Sequence, residues 1–100
     1  MKLGILVNSD KHLEAITRVV QAAADRGHEV NLFAMDTGTR LLEEPSYTSL
    51  VELSGVVMSY CDHSAKELGV KTDGLPSAIL RSSQYSNAEM NHHADKVLVL

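Results

Sequence analysis

The chain has 100 residues, of which 44% are hydrophobic, and its formal net charge is −4 at pH 7. This length and apolar content suit one domain over residues 1–100 and are too small for two. The nine lysine and arginine residues are scattered, and the only aromatic residues are three tyrosines and one phenylalanine. We therefore expect no nucleic-acid partner, because both a basic stripe and a stacking platform are missing.

Cys61 is the only cysteine of the chain, so an intramolecular disulfide is excluded. The apolar run at Met1–Asn8 is too short for a signal peptide and has no small-residue cleavage site. The longest apolar runs have the length of a strand, so no membrane span is expected. Together these features predict a cytoplasmic protein in a reducing compartment.

The first third of the chain predicts a strand, a helix and a second strand. Lys2–Val7 is a nearly continuous apolar run, which is typical of a strand buried on both faces. Apolar residues then recur at three- and four-residue spacing up to Ala24, and Gly27 suits a helix C-terminus. Glu29–Met35 follows as a second strand. A strand, a helix and a strand in succession predict a parallel pair.

The rest of the chain supplies two more predicted strands, Val56–Tyr60 and Lys96–Leu100, with helices between them. One of these helices is predicted to begin at Pro76 and to contain Ile79 and Leu80. The predicted fold is a three-layer, flavodoxin-like α/β domain with a mainly parallel sheet of four to five strands. A strand order of 2-1-3-4 would place the first and third strands side by side.

Cys61 is the strongest candidate for a functional residue. It ends the third predicted strand, and Asp62 and His63 open the helical segment that follows. Ligands gather at the carboxyl edge of parallel sheets, and helix N-termini stabilise thiolates. With the order 2-1-3-4, Asn8 and Ser9 would line the same crevice as Cys61, Asp62 and His63.

Neither a cofactor nor a metal ion is predicted. The first loop, residues 8–12, contains no glycine, so the phosphates of a flavin or a dinucleotide have no cradle. Zinc sites show recognisable ligand pairs, such as two cysteines separated by two residues. Here the adjacent His92 and His93 would point about 100° apart on a helix, which does not suit one ion.

The region around Cys61 resembles the cysteine-bearing segment of the DsrE/DsrF-like family. In that family a strand ends in a cysteine and is followed by a short helix and a glycine–hydrophobic pair, as in the sequence GVVMSYCDHSAKELGV from Gly55 to Val70. Further features agree in order along nearly the whole chain: the turn Gly27–Val30, the Asp-x-Gly motif at Asp36–Gly38 and the closing segment Ala94–Leu98.

The resemblance implies a sulfur-relay protein in which Cys61 accepts sulfane sulfur as a persulfide and passes it on. It also implies a homo-oligomer, a trimer or a hexamer, that exchanges sulfur with a donor or acceptor protein. Apolar residues in Leu75–Leu80, more than a solvated connector needs, favour assembly independently. We expect the thiol to be at least partly accessible to solvent. The residues leave open whether it turns over as a sulfurtransferase.

Two alternatives remain open at this stage. The protein could be a non-catalytic oligomeric binding or regulatory module, in which Asn8, Ser9 and helix N-termini hold a small polar or anionic ligand. It could also be a structural subunit of a mixed complex. In both cases Cys61 would be a buried thiol that acts as a small hydrophobic residue, as most free cysteines do.

Overall fold

The computed structural model describes residues 1–100 and contains one five-stranded sheet with four α-helices. The strands are β1 (Lys2–Val7), β2 (Glu29–Ala34), β3 (Val56–Cys61), β4 (Ile79–Ser82) and β5 (Lys96–Val99). The helices are α1 (Leu13–Asp25), α2 (Pro45–Thr48), α3 (Asp62–Glu67) and α4 (Gln84–His93), with 3₁₀ segments at Asp36–Glu43 and Ser49–Glu52. No helix has both the length and the apolar character needed to cross a membrane.

All five strands are parallel, in the order β4-β3-β2-β1-β5. The predicted α/β class with a parallel sheet is confirmed. The predicted strand order 2-1-3-4 is wrong, because β3 pairs with β2, through Leu32 and Met58 for example, and not with β1. Successive strands are commonly neighbours. The chain continues outward in this way from β1 to β4 and then returns, so that β5 pairs with the other edge of β1.

The four strands predicted from the sequence are all present, with ends displaced by at most one residue. β1 has the predicted bounds, β2 stops one residue earlier, β3 extends by one residue to Cys61, and β5 stops one residue before Leu100. These segments were recognisable because they are apolar along most of their length, as strands inside a parallel sheet are.

β4 replaces the helix that was predicted to begin at Pro76. Ile79 pairs with Met58 of β3 and is buried against the main core. The strand has only four residues, too few for an alternating pattern to be recognised, so the pairing with β3 decides its conformation. Ser83 then caps α4, since its Oγ accepts a hydrogen bond from the backbone N–H of Tyr85 at 3.3 Å.

The main hydrophobic core lies on one face of the sheet, here called the first face. Side chains alternate along each strand, so that Ile5, Leu32 and Met58 point to this face and are fully buried. α1 contributes Ile16 and Val20, which are four residues apart on one side of the helix. Complete burial of each such side chain stabilises the fold by roughly 1.5–3 kcal/mol.

The opposite face of the sheet, here called the second face, is covered by α4 alone. This helix packs on β1 and β2 and buries a single side chain, that of Met90. Gly4 makes the approach possible, because a Cβ at this position would lie only 3.0 Å from Met90 Cγ. On the two sides of α4 the strands expose apolar side chains, Val57 and Leu80 on one side and Val99 on the other. Parallel sheets are usually covered on both faces, so the covering of the second face is incomplete.

Tyr47 on α2 gives a first prediction about stability. Its side chain is fully buried in the main core, and its hydroxyl oxygen has no hydrogen-bond partner. We expect Tyr47→Phe to raise the free energy of unfolding by about 1 kcal/mol, because an unpaired polar group is removed. Chemical denaturation at neutral pH measures this. Burial also raises the pKa of the phenol, so the wild type loses stability above about pH 10, where the unfolded chain ionises, and the difference should widen there.

The control for this prediction is Tyr85→Phe, because the side chain of Tyr85 is 70% exposed. Removal of a solvated hydroxyl should change the stability by less than about 0.5 kcal/mol. A loss of stability in Tyr47→Phe would show that the buried hydroxyl has a partner that the structure does not contain.

Candidate functional site

Cys61 is the last residue of β3 and directly precedes α3. Its backbone is extended, with φ −80° and ψ 112°, and Asp62 is the first helical residue. α3 is short because the chain turns after Leu68 at Gly69, which has a positive φ of 67° that suits glycine. The thiol therefore lies at the predicted position, at the carboxyl end of a strand and the amino end of a helix.

The thiol is more deeply buried than the sequence predicted. Cys61 is only 5% exposed in the single chain, so the expectation of partial solvent access is wrong. The alternation along β3 directs its side chain to the second face, where it packs with Phe33 and Met90. Leu6 and Met35 border this cluster. Met90 belongs to α4, so this helix contributes to the burial of the sulfur.

Polar groups around Cys61 nevertheless favour its thiolate. Burial raises the pKa of the Cys61 thiol, but hydrogen bonding outweighs this effect and holds the pKa below its ordinary value of 9.0. The groups responsible are the side chain and backbone of Ser64, the side chain of Gln84 and the backbone of His63. The first N–H groups of a helix have no partner within it and are free to act on an anion. A buried cysteine in purely apolar surroundings would have a raised pKa and be inert.

Ser64→Ala should raise the pKa of the Cys61 thiol, because the variant lacks the hydroxyl that stabilises the thiolate. The ultraviolet absorbance of the thiolate as a function of pH measures this, with Cys61→Ser as the blank. The pKa of the Cys61 thiol is lower in the folded protein than in the unfolded chain, where it is near 9.0. The thiolate therefore stabilises the fold fully above the pKa of the unfolded chain, and this stabilisation is lost as the pH falls through the pKa of the folded protein. The variant should therefore lose more stability in alkaline solution than near neutral pH.

Ser59→Ala is the matched control for Ser64→Ala. Ser59 is a buried serine like Ser64, lies on the second face two residues before Cys61 on the same strand, and does not act on the thiol. Its replacement should leave the titration of Cys61 unchanged. Equal titration curves for Ser64→Ala and the wild type would contradict the assigned role of the hydroxyl.

Asn8 and Ser9 do not share a crevice with Cys61. They follow β1, and β2 lies between β1 and β3, so the two strand ends are separated by two strand spacings, roughly 9–10 Å. Asn8 is exposed, and Ser9 Oγ accepts a hydrogen bond from the backbone N–H of Lys11 at 3.3 Å. The shared crevice depended on the strand order 2-1-3-4 and is wrong together with it.

Asp62 and His63 flank the thiol in sequence, but their side chains follow the surface of α3. Asp62 Oδ2 lies 3.0 Å from Lys66 Nζ, and His63 Nε2 lies 3.5 Å from Glu67 Oε1. The side chain of His63 is 80% exposed. The influence of His63 on the sulfur therefore comes through its backbone.

Three neighbours of Cys61 were not identified from the sequence. Ser82 of β4 is its partner in the strand register, Gln84 begins α4, and Ser64 lies in the first turn of α3. Gln84 Nε2 also donates a hydrogen bond to Met35 Sδ at 3.7 Å, which holds the amide beside the cluster. Ser64 could have been found from its position three residues after the cysteine. Gln84 could not, because β4 was predicted as a helix.

The histidines do not contribute to a metal centre around the thiol. No group of three histidine, cysteine, aspartate or glutamate side chains is arranged to hold a metal ion. The rings of His92 and His93 contact each other edge to face at the end of α4, with centroids 4.9 Å apart. Neither ring belongs to the cluster around Cys61.

The fold is shared with several solved structures of low sequence identity. The ychN protein from E. coli has a TM-score of 0.71 and 16% identity, with 100% of both chains covered. The conserved protein of unknown function BT1422 from Bacteroides thetaiotaomicron has a TM-score of 0.78 and 16% identity, over 99% of this chain and 94% of that one. The protein of unknown function MTH1491 from Methanobacterium thermoautotrophicum has a TM-score of 0.69 and 17% identity, over 99% of this chain and 98% of that one. At such identities the similarity shows the fold alone.

The family assignment comes from the sequence as a whole. No curated protein matches the chain. The DsrE/DsrF-like family, in contrast, matches residues 1–100, which is the entire sequence. The fold and the position of the cysteine agree with the resemblance found in the segment Gly55–Val70. The chain therefore belongs to the DsrE/DsrF-like family.

Proposed function

We propose that the protein carries sulfane sulfur as a persulfide on Cys61. The observation that supports this most directly is the position of Cys61 at the end of β3, where Ser64 in the first turn of α3 and Gln84 at the start of α4 favour its anion. A persulfide is more acidic than a thiol, so the same donors would stabilise its anion at neutral pH. Membership of the family supports the proposal, since sulfur relay is the role that the resemblance implies.

The loading step is a transfer of one sulfur atom. The Cys61 thiolate attacks the outer sulfur of a donor persulfide, a new S–S bond forms at Cys61, and the S–S bond of the donor breaks. The donor thiolate leaves with the electron pair of that bond, so no net oxidation occurs. In delivery, an acceptor thiolate attacks the outer sulfur of the Cys61 persulfide, and the Cys61 thiolate is the leaving group.

The single cysteine favours a carrier over a dithiol oxidoreductase. The chain has no second thiol that could resolve the persulfide into a disulfide. Sulfur on Cys61 can therefore leave only to a thiol of another molecule, which implies a donor and an acceptor outside this chain. A reducing cytoplasm, in which acceptor thiols stay available, suits this chemistry.

We also propose that the protein is a homo-oligomer, a trimer or a hexamer. The second face of the sheet supports assembly, because α4 packs there on β1 and β2 only and leaves apolar side chains exposed on both sides. The family resemblance supplies the stoichiometry. Light scattering at micromolar concentration tests this, and the mass of one chain, 10.9 kDa, would contradict it.

The experiment that tests sulfur carriage is intact mass spectrometry of the folded protein after incubation with a low-molecular-weight persulfide. We expect the mass of one added sulfur atom, which is lost on treatment with dithiothreitol. If the adduct forms only after denaturation, the thiol is structural. The alternative function, a non-catalytic binding or regulatory module, would then be the better description.

A further inference from the structure

Three amide side chains on one side of α4 are joined by hydrogen bonds. Gln84, Asn87 and Asn91 are spaced by three and four residues, so they lie on the same side of the helix. Asn91 Nδ2 donates to Asn87 Oδ1, and Asn87 Nδ2 donates to Gln84 Oε1, both at 3.3 Å. The row ends beside the cluster around Cys61, because Gln84 Nε2 donates to Met35 Sδ at 3.7 Å.

The direction of these hydrogen bonds decides which end of the Gln84 amide faces the sulfur atoms. The nitrogen of an amide donates and its oxygen accepts. Asn87 donates to the oxygen of Gln84, and the thioether of Met35 can only accept. Both contacts therefore require the donor Nε2 to point toward the cluster. The reversed amide would place its oxygen against Met35 Sδ and would bring the NH₂ groups of Gln84 and Asn87 together.

The orientation of Gln84 matters because a donor and an acceptor have opposite effects on a thiol. A donor stabilises the thiolate, whereas an oxygen accepts a hydrogen bond from S–H and stabilises the neutral form. The effects that lower the pKa of the Cys61 thiol are all hydrogen bonds, and the Gln84 side chain supplies one of them. No charged side chain is among these groups. The sign of the Gln84 contribution therefore depends on the direction of its amide.

We propose that Asn87 is a positioning residue, which acts on Cys61 by directing the amide donor of Gln84 toward the sulfur. Asn87 does not belong to the cluster around the thiol, and its side chain bonds to the two other amides of the row. The inference rests on the proposed function, because the directed donor favours the thiolate that attacks in loading and would also act on the anionic sulfur of the persulfide.

A double-mutant cycle of Asn87→Ala and Gln84→Leu tests this role, with the ultraviolet absorbance of the Cys61 thiolate followed as a function of pH. Leucine is similar in size to glutamine and has no donor, so Gln84→Leu should shift the titration to higher pH. Asn87→Ala should shift it in the same direction, because the Gln84 amide is then free to turn. In the Gln84→Leu background, Asn87→Ala should add no further shift, since the group that it directs is absent. Additive shifts would overturn the inference.

Asn91→Ala is the matched control. It removes the same amide group from the same side of α4, but Asn91 contacts Asn87 and not Gln84. The variant should therefore shift the titration less than Asn87→Ala does. Alanine is the best helix former, so circular dichroism should show an intact helix in both variants. An equal shift in Asn91→Ala would show a general change in α4 and would contradict a specific role of Asn87.

Sulfur loading, measured in parallel, separates this inference from the proposed function. Intact mass spectrometry at short times with the low-molecular-weight persulfide should show slower loading of Asn87→Ala than of the wild type near neutral pH, because less of the thiol is ionised. A wild type that takes up no sulfur would contradict the proposed function, while the expected titrations would still confirm the role of Asn87. An unchanged titration in Asn87→Ala would overturn the inference, whether or not the wild type loads sulfur.

Discussion

Cys61→Ser should abolish sulfur loading completely. Cys61 is the only cysteine, so no other thiol of the chain can accept sulfane sulfur. Serine is similar in size, and the polar groups that act on the sulfur, Ser64 and Gln84, can also hydrogen-bond to a hydroxyl. The loss of stability should therefore be about 1 kcal/mol or less. Intact mass spectrometry of the variant, treated with the persulfide donor in parallel with the wild type, checks the result.

Ser59→Ala is the control for this experiment, because it removes a hydroxyl from the same strand and face and leaves the thiol in place. It should load sulfur to the same extent as the wild type. An added sulfur atom on Cys61→Ser would show that the adduct is bound elsewhere, and the proposed role of Cys61 would be contradicted.

The burial of Cys61 and its proposed chemistry are compatible because α4 is held weakly. Only one side chain of this helix, Met90, is buried. Segments with few buried apolar contacts open locally at a free energy far below that of global unfolding. Sulfur would be exchanged in such open states, while the closed state shields a loaded persulfide from other thiols.

The sequence predicted those parts of the fold that depend on local pattern. The six-residue strands β1 and β3 were recognisable because nearly all their residues are apolar, and the position of Cys61 followed from the end of β3. β4 was not recognisable, because four residues show no periodicity and Ile79 becomes a strand residue only by pairing with Met58. Strand order was missed for a related reason, since it depends on contacts between distant segments.

The same distinction applies to the candidate site. Ser64 and the backbone of His63 act on the thiol through the first turn of α3, which the sequence already indicated after Cys61. Gln84 acts from a different strand–helix junction and reaches the sulfur only because β4 pairs with β3. Asn8 was predicted to lie beside Cys61 on the assumption that β1 and β3 are adjacent strands. This prediction is wrong because β2 lies between them.

The Asp-x-Gly motif at Asp36–Gly38 has a steric explanation. Asp36 has a positive φ of 49°, which turns the chain sharply after β2 and leads it into the 3₁₀ segment. Gly38 then packs directly against the end of β1. A Cβ at this position would overlap the carbonyl oxygen of Val7 and would lie only 2.7 Å from its carbonyl carbon. The obstacle is backbone of a strand paired on both sides, so it cannot move aside as a flexible side chain could.

Gly38→Ala should therefore be strongly destabilising, with a loss of about 3 kcal/mol or more in the free energy of unfolding. Chemical denaturation followed by circular dichroism measures this loss. Gly4→Ala is the matched control, because the Cβ it adds would meet the side chains of Met90 and Ala94 at 3.0–3.2 Å instead of backbone. α4 can adjust to that contact, so the loss should be about 1 kcal/mol. If Gly38→Ala were the milder of the two, the close packing of the 3₁₀ segment against Val7 would be contradicted.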